Sequence, residues 1–247
     1  MSDRQLRVAT YNVHKARGVD GRIRPKRIVD VLRELDADII GLQEVLSITG
    51  AHKEKDQAQY FAEELGMNHC VGQTRMLKGG VYGNVILTKL TIRDTQTYDL
   101  TVRWREERGC LRADVEFNDG IVHIFNLHLG TDYFERRTQA RKLVRAAVLQ
   151  NPELAGPRVI MGDLNEWTFG QVTRMLRKNF RSADPGTYLR RNKTFPVFLP
   201  LLPLDHIYFD ASFQIERLTI HKTPAALKAS DHLPLVADLG LHAPAVI

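Results

Sequence analysis

The sequence predicts an α/β fold built on two packed β-sheets, and two observations carry the prediction. Short apolar runs rich in β-branched residues alternate along the chain with amphipathic segments of helical spacing. A strand, a helix and a strand ending in Gln43-Glu44 are also echoed later by a similar unit that ends in Asp163-Leu164-Asn165. We interpret this echo as two related halves whose polar strand ends lie along one shared edge.

Eight segments are predicted to be strands because each is a short apolar run bounded by turn or polar residues. They are LRVATYNV, ADIIGLQEV, GNVILTK, LRADVEF, IVHIFNLHL, PRVIMGDL, LDHIYFD and LVADL. Four helices are predicted between them, over RPKRIVDVLREL, QAQYFAEEL, DYFERRTQARKLVRAAVL and the segment from Gln171 to Arg177. Pro25 suits the first turn of the first helix, and Asp132 is expected to cap the third.

The composition is that of a globular protein, with 247 residues, 43% of them hydrophobic and 26% charged. We expect a single domain over residues 1–247, because no linker interrupts the chain and the polar strand ends come from both halves. Cys70 and Cys110 are too few for a disulfide framework, which favours structural thiols in a reducing compartment. Neither a signal peptide nor a membrane-spanning run is evident, so a cytoplasmic location is expected.

The charge balance favours polyanionic partners. The formal net charge is +6 and the pI is near 9.4, and such a field attracts anions over a long range without indicating a fold. Nucleic acid, an anionic lipid surface and phosphorylated metabolites all fit, and no obligate protein partner is indicated.

Polar residues end six of the apolar runs that are otherwise far apart in sequence. They are Asn12, Glu44, Asn126, His128, Asp163, Asn165, Asp205, His206, Asp231 and His232. Strand ends of this composition suggest convergence on one polar site. A divalent metal acting on a phosphate ester is the chemistry that suits this set best, since it needs metal ligands, a residue for the attacking water and donors to the phosphate.

The carboxylates are the first candidates within this set. Glu44 ends an apolar strand, where a carboxylate is costly unless it meets a cation, so it is the best Mg²⁺ ligand; the alternative is a strand cap at the surface. Asp163 and Asn165 lie two apart, which in an extended segment puts both on one side. Asp163 then suits the attacking water and Asn165 a phosphate oxygen, whereas a local Asp/Asn turn is the alternative.

The histidines are the second candidates, although a buried structural role is the ordinary alternative for each. His232 can bond a phosphate oxygen or act as general acid if a carboxylate sets its tautomer, and Asp205 is the candidate partner. His128 lies two residues from Asn126 and is placed to stabilise charge on the scissile phosphate. His14 is close to Asn12 and borders the same region.

The ordered segments T-Y-N-V, L-Q-E-V, N-L-H-L, G-D-L-N, L-D-H-I and S-D-H-L-P resemble those of the endonuclease/exonuclease/phosphatase superfamily. Its members include pancreatic-type deoxyribonuclease, repair nucleases, inositol polyphosphate 5-phosphatases and neutral sphingomyelinases. The resemblance runs from about Arg7 to Leu239. It is greatest to small bacterial members with an N-x-H-K motif, here Asn12 to Lys15, and a T-F-P-V segment, here Thr194 to Val197.

This resemblance implies a four-layer α/β sandwich, with two β-sheets face to face and helices outside, as in deoxyribonuclease I. It implies that Glu44 binds Mg²⁺ or Mn²⁺ with help from Asn12 and Asp231. It also implies that Asp163 positions or activates water, that Asn165 and His128 contact the phosphate, and that Asp205 orients His232, which bonds or protonates the substrate. The remaining candidates for substrate binding are Asn12, Asn126, His14, Lys15 and Arg108.

Three classes of function stay open from the sequence. A phosphodiesterase acting on nucleic acid is favoured by the basic third helix and by a later group of basic residues; a solvated helix face is the alternative. The helix contributes Arg136, Arg137, Arg141, Lys142 and Arg145, and the later group is Arg174, Arg177, Lys178 and Arg181. A phosphatase or phospholipid-directed phosphodiesterase is favoured by the apolar stretch FPVFLPLLPL, which is otherwise a buried loop. A non-catalytic binding protein is disfavoured because each aligned catalytic position holds a competent residue.

Overall fold

Two six-stranded sheets form the centre of the protein in the computed structural model, which describes residues 5–50, 52–144, 148–167, 170–184, 186 and 192–242. The first sheet has the strand order β11-β12-β1-β2-β4-β3 and the second β5-β6-β7-β8-β10-β9. The strands of the first sheet are β1 Gln5–Asn12, β2 Ile39–Ser47, β3 Asn68–Leu77, β4 Gly80–Thr88, β11 Phe213–Ile220 and β12 Leu235–Leu241. Those of the second are β5 Ile92–Asp99, β6 Gly109–Phe117, β7 Gly120–His128, β8 Arg158–Asp163, β9 Arg181–Ser182 and β10 Asp205–Phe209.

Helices cover the outer faces of both sheets. They are α1 Pro25–Leu35, α2 Gln57–Leu65, α3 Tyr133–Val144, α4 Gln171–Leu176 and α5 Ala226–Ala229. One buried apolar cluster joins α1 and α2 to the first sheet, a second lies between the sheets, and a third joins α3 and α4 to the second sheet. Three cores separate four layers, so the four-layer α/β sandwich is confirmed. No helix in the described ranges has the length and apolar character needed to cross a bilayer.

The two related halves predicted from the sequence are visible in the sheets. Strands β1 and β2 are parallel and joined through α1, and β7 and β8 are parallel and joined through α3. Each pair occupies the middle of its own sheet. The carboxyl ends of all four strands therefore lie at one edge of the sandwich.

Strand alternation explains which side chains reach this edge. Along β1, Leu6 and Val8 point between the sheets, and the period of two carries Asn12 to the same face. Along β8, Val159 and Met161 point between the sheets, which places Asp163 there as well. The same alternation brings His128 and Asp205 to the inter-sheet face, so the polar strand ends meet where the two sheets part.

All eight predicted strands are present, as are the predicted helices over α1, α2 and α4. Pro25 begins α1, and Asp132 Oδ1 accepts hydrogen bonds at the start of α3 from the backbone N–H groups of Phe134 and Glu135, both at 3.0 Å. Helix α3 is described from Tyr133 to Val144, residues 145–147 lie outside the described ranges, and residues 148–150, where the helix was predicted to continue to Leu149, form a turn. Strands β3, β5, β9 and β11 and helix α5 were not predicted.

Candidate active site

Asn12 links two carboxylates from different sheets. Its Nδ2 donates to Asp163 Oδ2 at 3.1 Å and to Glu44 Oε1 at 3.3 Å. Its Oδ1 accepts the backbone N–H of His14 at 3.0 Å. Asn12 is therefore a positioning residue for both carboxylates, with its Nδ2 donors used within the protein.

Glu44 reaches the site because β2 is irregular there. The pairing of β2 with β4 shifts register between Leu42 and Val45, and Glu44 has a φ of +58°. Simple alternation puts Glu44 on the helix side with Ile40 and Leu42, whereas an inserted residue redirects it. A positive φ at a glutamate is a strained conformation, of the kind that persists where the surroundings enforce it, often at functional sites.

The residues at Glu44 fit a hard divalent cation. Burial alone raises the pKa of Glu44, but the His128 imidazole, the Lys15 ammonium and the Asn12 amide outweigh burial and hold that pKa at about 2. The carboxylate is thus charged throughout the physiological range. Lys15 Nζ lies 2.5 Å from Glu44 Oε2, so this position already attracts a cation, and an oxygen donor suits Mg²⁺ or Mn²⁺ better than zinc.

His232 and Asp205 form a buried hydrogen-bonded pair. His232 Nδ1 donates to Asp205 Oδ2 at 2.8 Å, and Thr194 Oγ1 donates to the same oxygen at 2.5 Å. Burial lowers the pKa of His232, but the carboxylates of Asp205, Asp163 and Asp231 outweigh it and raise the pKa to about 10. The imidazole is therefore a cation at neutral pH, with its Nε2–H directed towards Asp163, 3.7 Å away.

Two places in the site have groups that could hold a metal ion. Asp163, Asp205 and His232 have possible ligand atoms within 4.8 Å of one another. In the metal-free structure, however, Nδ1 of His232 is already bonded to Asp205, and a protonated imidazole has no free nitrogen lone pair. Glu44 is therefore the better candidate for a cation ligand.

His128 approaches Asp163 from the opposite side as a neutral imidazole. Burial lowers the pKa of His128 to about 4, and the adjacent Arg108 guanidinium reinforces this shift. Arg108 Nη1 lies 3.1 Å from His128 Nδ1. Since a guanidinium only donates hydrogen bonds, Nδ1 accepts and the ring proton resides on Nε2, which is 3.6 Å from Asp163 Oδ2.

Asp163 is thus a buried carboxylate that faces two imidazole N–H groups. The distances of 3.6 and 3.7 Å exceed a direct hydrogen bond, so both groups can donate to a substrate oxygen. Burial raises the pKa of Asp163 despite the two histidines and Asn12. A carboxylate with a raised pKa is a stronger base than an exposed one, which suits orientation or deprotonation of water.

Comparison with known proteins agrees with this geometry. The sequence profile of the Endonuclease/Exonuclease/phosphatase family matches residues 9–232. The chain belongs to this family. The family consists of hydrolases of phosphate esters and is generally dependent on a divalent metal. The match confirms the family that the sequence motifs indicated, and the fold agrees with it.

The relatives of this family member are distant in sequence. The Escherichia coli protein named "Uncharacterized protein YbhP" is 28% identical over 252 residues, covering 96% of each chain. A family structure from Beutenbergia cavernae has a TM-score of 0.78 at 23% identity and covers 99% of this chain and 73% of its own. A mannosyl-6-phosphatase from Bacteroides thetaiotaomicron has a TM-score of 0.75 at 20% identity, covering 95% and 99%. At these identities the two structures show the shared fold alone.

Two predictions need correction in this member of the family, namely the substrate contact of Asn126 and the extended conformation at Asn165. Asn126 is fully buried between the sheets, where its Oδ1 accepts from Gln43 Nε2 at 2.7 Å and its Nδ2 donates to the carbonyls of Leu42 and Val85. It joins the sheets and is closed to substrate. Asn165 does not lie in an extended segment; its φ is +49°.

The turn at Asn165 has a local cause. Its backbone N–H donates to Asp163 Oδ1 at 2.9 Å, which is the local Asp/Asn turn that the sequence left as an alternative. The turn nevertheless brings the Asn165 side chain to the site. Its Nδ2 donates to the Leu129 carbonyl at 2.9 Å and lies 3.2 Å from His128 Nε2.

His14 and Asp231 lie together at the rim of the site. His14 Nδ1 is 3.4 Å from Asp231 Oδ1. Burial raises the pKa of Asp231, but His14 and His232 outweigh it and lower that pKa. The described contacts of Asp231 are with His14 and Ser230, and its help to the metal stays a prediction. Lys15 and Arg108, by contrast, both reach the site.

Several residues of the site were missed by sequence reasoning. Thr194 binds Asp205, and the Phe195 ring packs on the His232 ring with centroids 4.9 Å apart. Both belong to the T-F-P-V segment, which was therefore a usable signal. Ser230 Oγ donates to the Asn12 carbonyl at 2.8 Å and fixes the C-terminal motif against β1.

The predicted basic surface is divided in the structure. Arg136 is buried and donates to the carbonyls of Gly130 and Thr131, so it stabilises a loop. Arg177 and Arg181 line a cavity separate from the one lined by Arg137. Arg145 lies outside the described residues.

The opposite shifts of the two site histidines give a pH prediction for the metal-free protein. We expect His128 to stay neutral down to about pH 4 and His232 to stay charged up to about pH 10. A raised pKa in the folded state contributes stability that is full below the ordinary value near 6.5 and is lost as the pH rises through the folded value. NMR titration of the imidazoles measures both pKa values, and two histidines titrating near 6.5 contradict the assignment.

Proposed function

We propose that the protein is a Mg²⁺-dependent phosphodiesterase that hydrolyses nucleic acid. The observation that carries the proposal is a buried Asp163 carboxylate facing one neutral and one cationic imidazole, beside a Glu44 carboxylate suited to a cation. Asp163 orients or deprotonates the attacking water. His128 and His232 donate to the phosphate oxygens, and His232 is charged and able to give a proton to the leaving oxygen.

Glu44 is the residue proposed to hold Mg²⁺, with Asn12 fixing its carboxylate. When bound, such an ion neutralises charge on the phosphoryl oxygens. The remaining work is done by the protein itself. Asp205 and Thr194 hold the tautomer and charge of His232, and Arg108 fixes the proton of His128 on Nε2.

Nucleic acid is the proposed substrate because a basic cleft opens beside the site. Arg137, Arg174 and Lys178 line a cleft between α3 and α4 together with Tyr133. None of these three cations pairs with a carboxylate within the described part of the chain. Both helices begin just after the strands that carry His128 and Asp163, so the cleft extends the same edge. Cationic side chains that follow a phosphate backbone, next to an aromatic ring on which a base can stack, suit a single-stranded nucleic acid.

A second candidate is a phosphodiesterase directed at phospholipid. The predicted apolar lip is exposed at its tip, with Phe198 77%, Leu199 59% and Leu201 50% accessible. The same segment contacts the site through Phe195. Exposed apolar residues next to a phosphoesterase site suit a lipid surface. A monoesterase is the third possibility, in keeping with the name of the mannosyl-6-phosphatase neighbour.

A substrate panel tests the proposal. Single- and double-stranded DNA and RNA, bis(p-nitrophenyl) phosphate, p-nitrophenyl phosphate and phospholipid vesicles are incubated with Mg²⁺ or Mn²⁺ at low salt. We expect cleavage of oligonucleotides that is abolished by EDTA and falls steeply with salt. Cleavage of vesicle lipid that is lost in Phe198→Asp supports the second candidate, and preference for the monoester supports the third.

Charge-reversal variants test whether nucleic acid binds at this cleft or responds only to the overall positive charge of the protein. Arg174→Glu and Lys178→Glu are expected to weaken oligonucleotide cleavage while leaving bis(p-nitrophenyl) phosphate unaffected. Arg181→Glu makes the same charge change at an exposed residue that lines another cavity, and it should change neither substrate. Equal losses in all three variants count against the cleft as the nucleic-acid path.

A further inference from the structure

A chain of contacts leads from the active site to an arginine that has no role in the chemistry described above. Arg108, which touches His128, also donates through Nη2 to Glu106 Oε2 at 2.7 Å. The other Glu106 oxygen, Oε1, lies 2.6 Å from Arg75 Nη2. One carboxylate therefore bridges two guanidinium groups, and one of those groups touches a histidine of the site.

The second arginine is tied back to the metal side of the site. The Arg75 guanidinium lies over the Tyr82 ring at 4.7 Å from its centroid, and Lys15 Nζ is 5.6 Å from the same centroid. Lys15 in turn contacts Glu44. Arg75 thus stands on the wall of the site that connects the His128 side with the Glu44 side.

Both arginines present an Nη2 group to the same anion. The side chain of Arg108 is 8% exposed and that of Arg75 27%. The Nη2 atoms of both contact Glu106. Two guanidinium groups that converge on one carboxylate also match the oxygens of a phosphate.

Glu106 is the most exposed of these three side chains. It belongs to the exposed loop 101–107, whose base is fixed by the hydrogen bond from Leu100 N–H to the Arg108 carbonyl at 2.9 Å. Its side chain is 38% exposed, and its pair with the 27% exposed Arg75 is of the partly exposed kind that contributes little to stability. A carboxylate that bridges two arginines at an open surface occupies the position that a substrate anion can take.

We propose that Arg75 and Arg108 form a clamp for a second phosphate group of the substrate, next to the scissile one, and that Glu106 fills the clamp in the free enzyme. This inference rests on the proposed function, since it assigns the neighbouring phosphate to the same nucleic-acid strand. When a nucleic-acid strand binds, one of its phosphates displaces Glu106, and both guanidinium groups then donate hydrogen bonds to the phosphate oxygens. The clamp favours polyphosphorylated chains over esters with a single phosphate.

The test compares two charge-neutralising variants, Glu106→Gln and Glu107→Gln, on two substrates. Glu107 is the adjacent loop residue and has no ion pair in the described contacts. We expect Glu106→Gln to lower the KM for a short oligonucleotide by roughly threefold, the size of one exposed ion pair. The KM for bis(p-nitrophenyl) phosphate, which has one phosphate, should stay unchanged in Glu106→Gln. Glu107→Gln should change the KM for neither substrate. Arg75→Met should raise the KM for the oligonucleotide alone.

Equal KM shifts in the two glutamate variants, or equal shifts on both substrates, overturn the clamp. Binding of inorganic phosphate to the metal-free protein, measured by calorimetry, is the readout that needs no turnover. Tighter phosphate binding in Glu106→Gln than in Glu107→Gln supports the clamp even if oligonucleotides are not cleaved, in which case only the nucleic-acid assignment fails. If oligonucleotides are cleaved but the two glutamate variants bind phosphate with identical affinity, the proposed function is retained and the clamp is rejected.

Discussion

Asp163→Asn is expected to abolish turnover while leaving the protein folded. Its carboxylate is the point on which Asn12, His128 and His232 converge, and an amide of the same shape can neither deprotonate water nor balance the His232 charge. We expect kcat to fall by about 10³- to 10⁴-fold, as for loss of a positioned acid–base group. Steady-state kinetics on whichever diester the panel identifies measures the loss.

Stability supplies the internal check on this variant. Burial raises the pKa of Asp163, so the folded state disfavours its charged form, and that cost is present above the raised pKa and absent at acid pH. A neutral side chain escapes this cost but no longer offsets the buried charge of His232. The two effects oppose each other, so Asp163→Asn is expected to melt close to wild type at neutral pH. Loss of a cooperative melting transition together with lost turnover points to unfolding instead.

A matched control variant can be made at a buried carboxylate outside the site. Asp114 is a largely buried carboxylate that contacts a buried histidine, His123, at 2.7 Å. Asp114→Asn makes the same chemical change in a similar pair and is expected to lower stability while keeping kcat. Retained turnover in Asp163→Asn assigns the water to another residue and removes the proposed chemistry.

The sequence predicted the inner strands of both sheets and missed the outer ones, for a physical reason. Strands β3, β5, β9 and β11 are the four edges of the two sheets. An edge strand is partly solvated, so it lacks the continuous apolar run of a buried strand, and Arg93, Asp94 and Gln96 in β5 are exposed. Central strands such as β7 and β8, buried on both faces, carry the pattern in full.

The sequence predicted which residues meet at the site but not the local backbone geometry that places some of them there. Alternation from a strand end is enough to bring Asp163, His128 and Asp205 to one face. It cannot reveal the irregularity at Glu44 or the positive φ at Asn165, which arise from tertiary pairing and local hydrogen bonds. Nor can it tell Asn126, two residues before His128 on the same face, from a substrate ligand, because only the opposing sheet supplies Gln43.

Glu44→Gln is expected to weaken divalent-metal binding by at least about 10- to 100-fold, the loss that follows when only a residue hydrogen-bonded to a metal ligand is changed. The change removes the charge of a carboxylate whose pKa is held near 2. Lys15→Met is expected to act in the opposite direction, because the Lys15 ammonium lies on Glu44 Oε2 and competes with an incoming cation. Mn²⁺ affinity, measured by electron paramagnetic resonance without substrate, reports both changes directly.

The two variants together locate the ion. Weaker binding in Glu44→Gln with tighter binding in Lys15→Met places the cation on the carboxylate that Lys15 now contacts. Unchanged affinity in both, with binding lost in His232→Gln, places it instead among Asp163, Asp205 and His232. That result also requires His232 to be neutral when the ion is bound, and the pKa near 10 makes such binding strongly favoured by alkaline pH. Mn²⁺ affinity that is flat between pH 7 and pH 9 is therefore the outcome we expect for the site at Glu44.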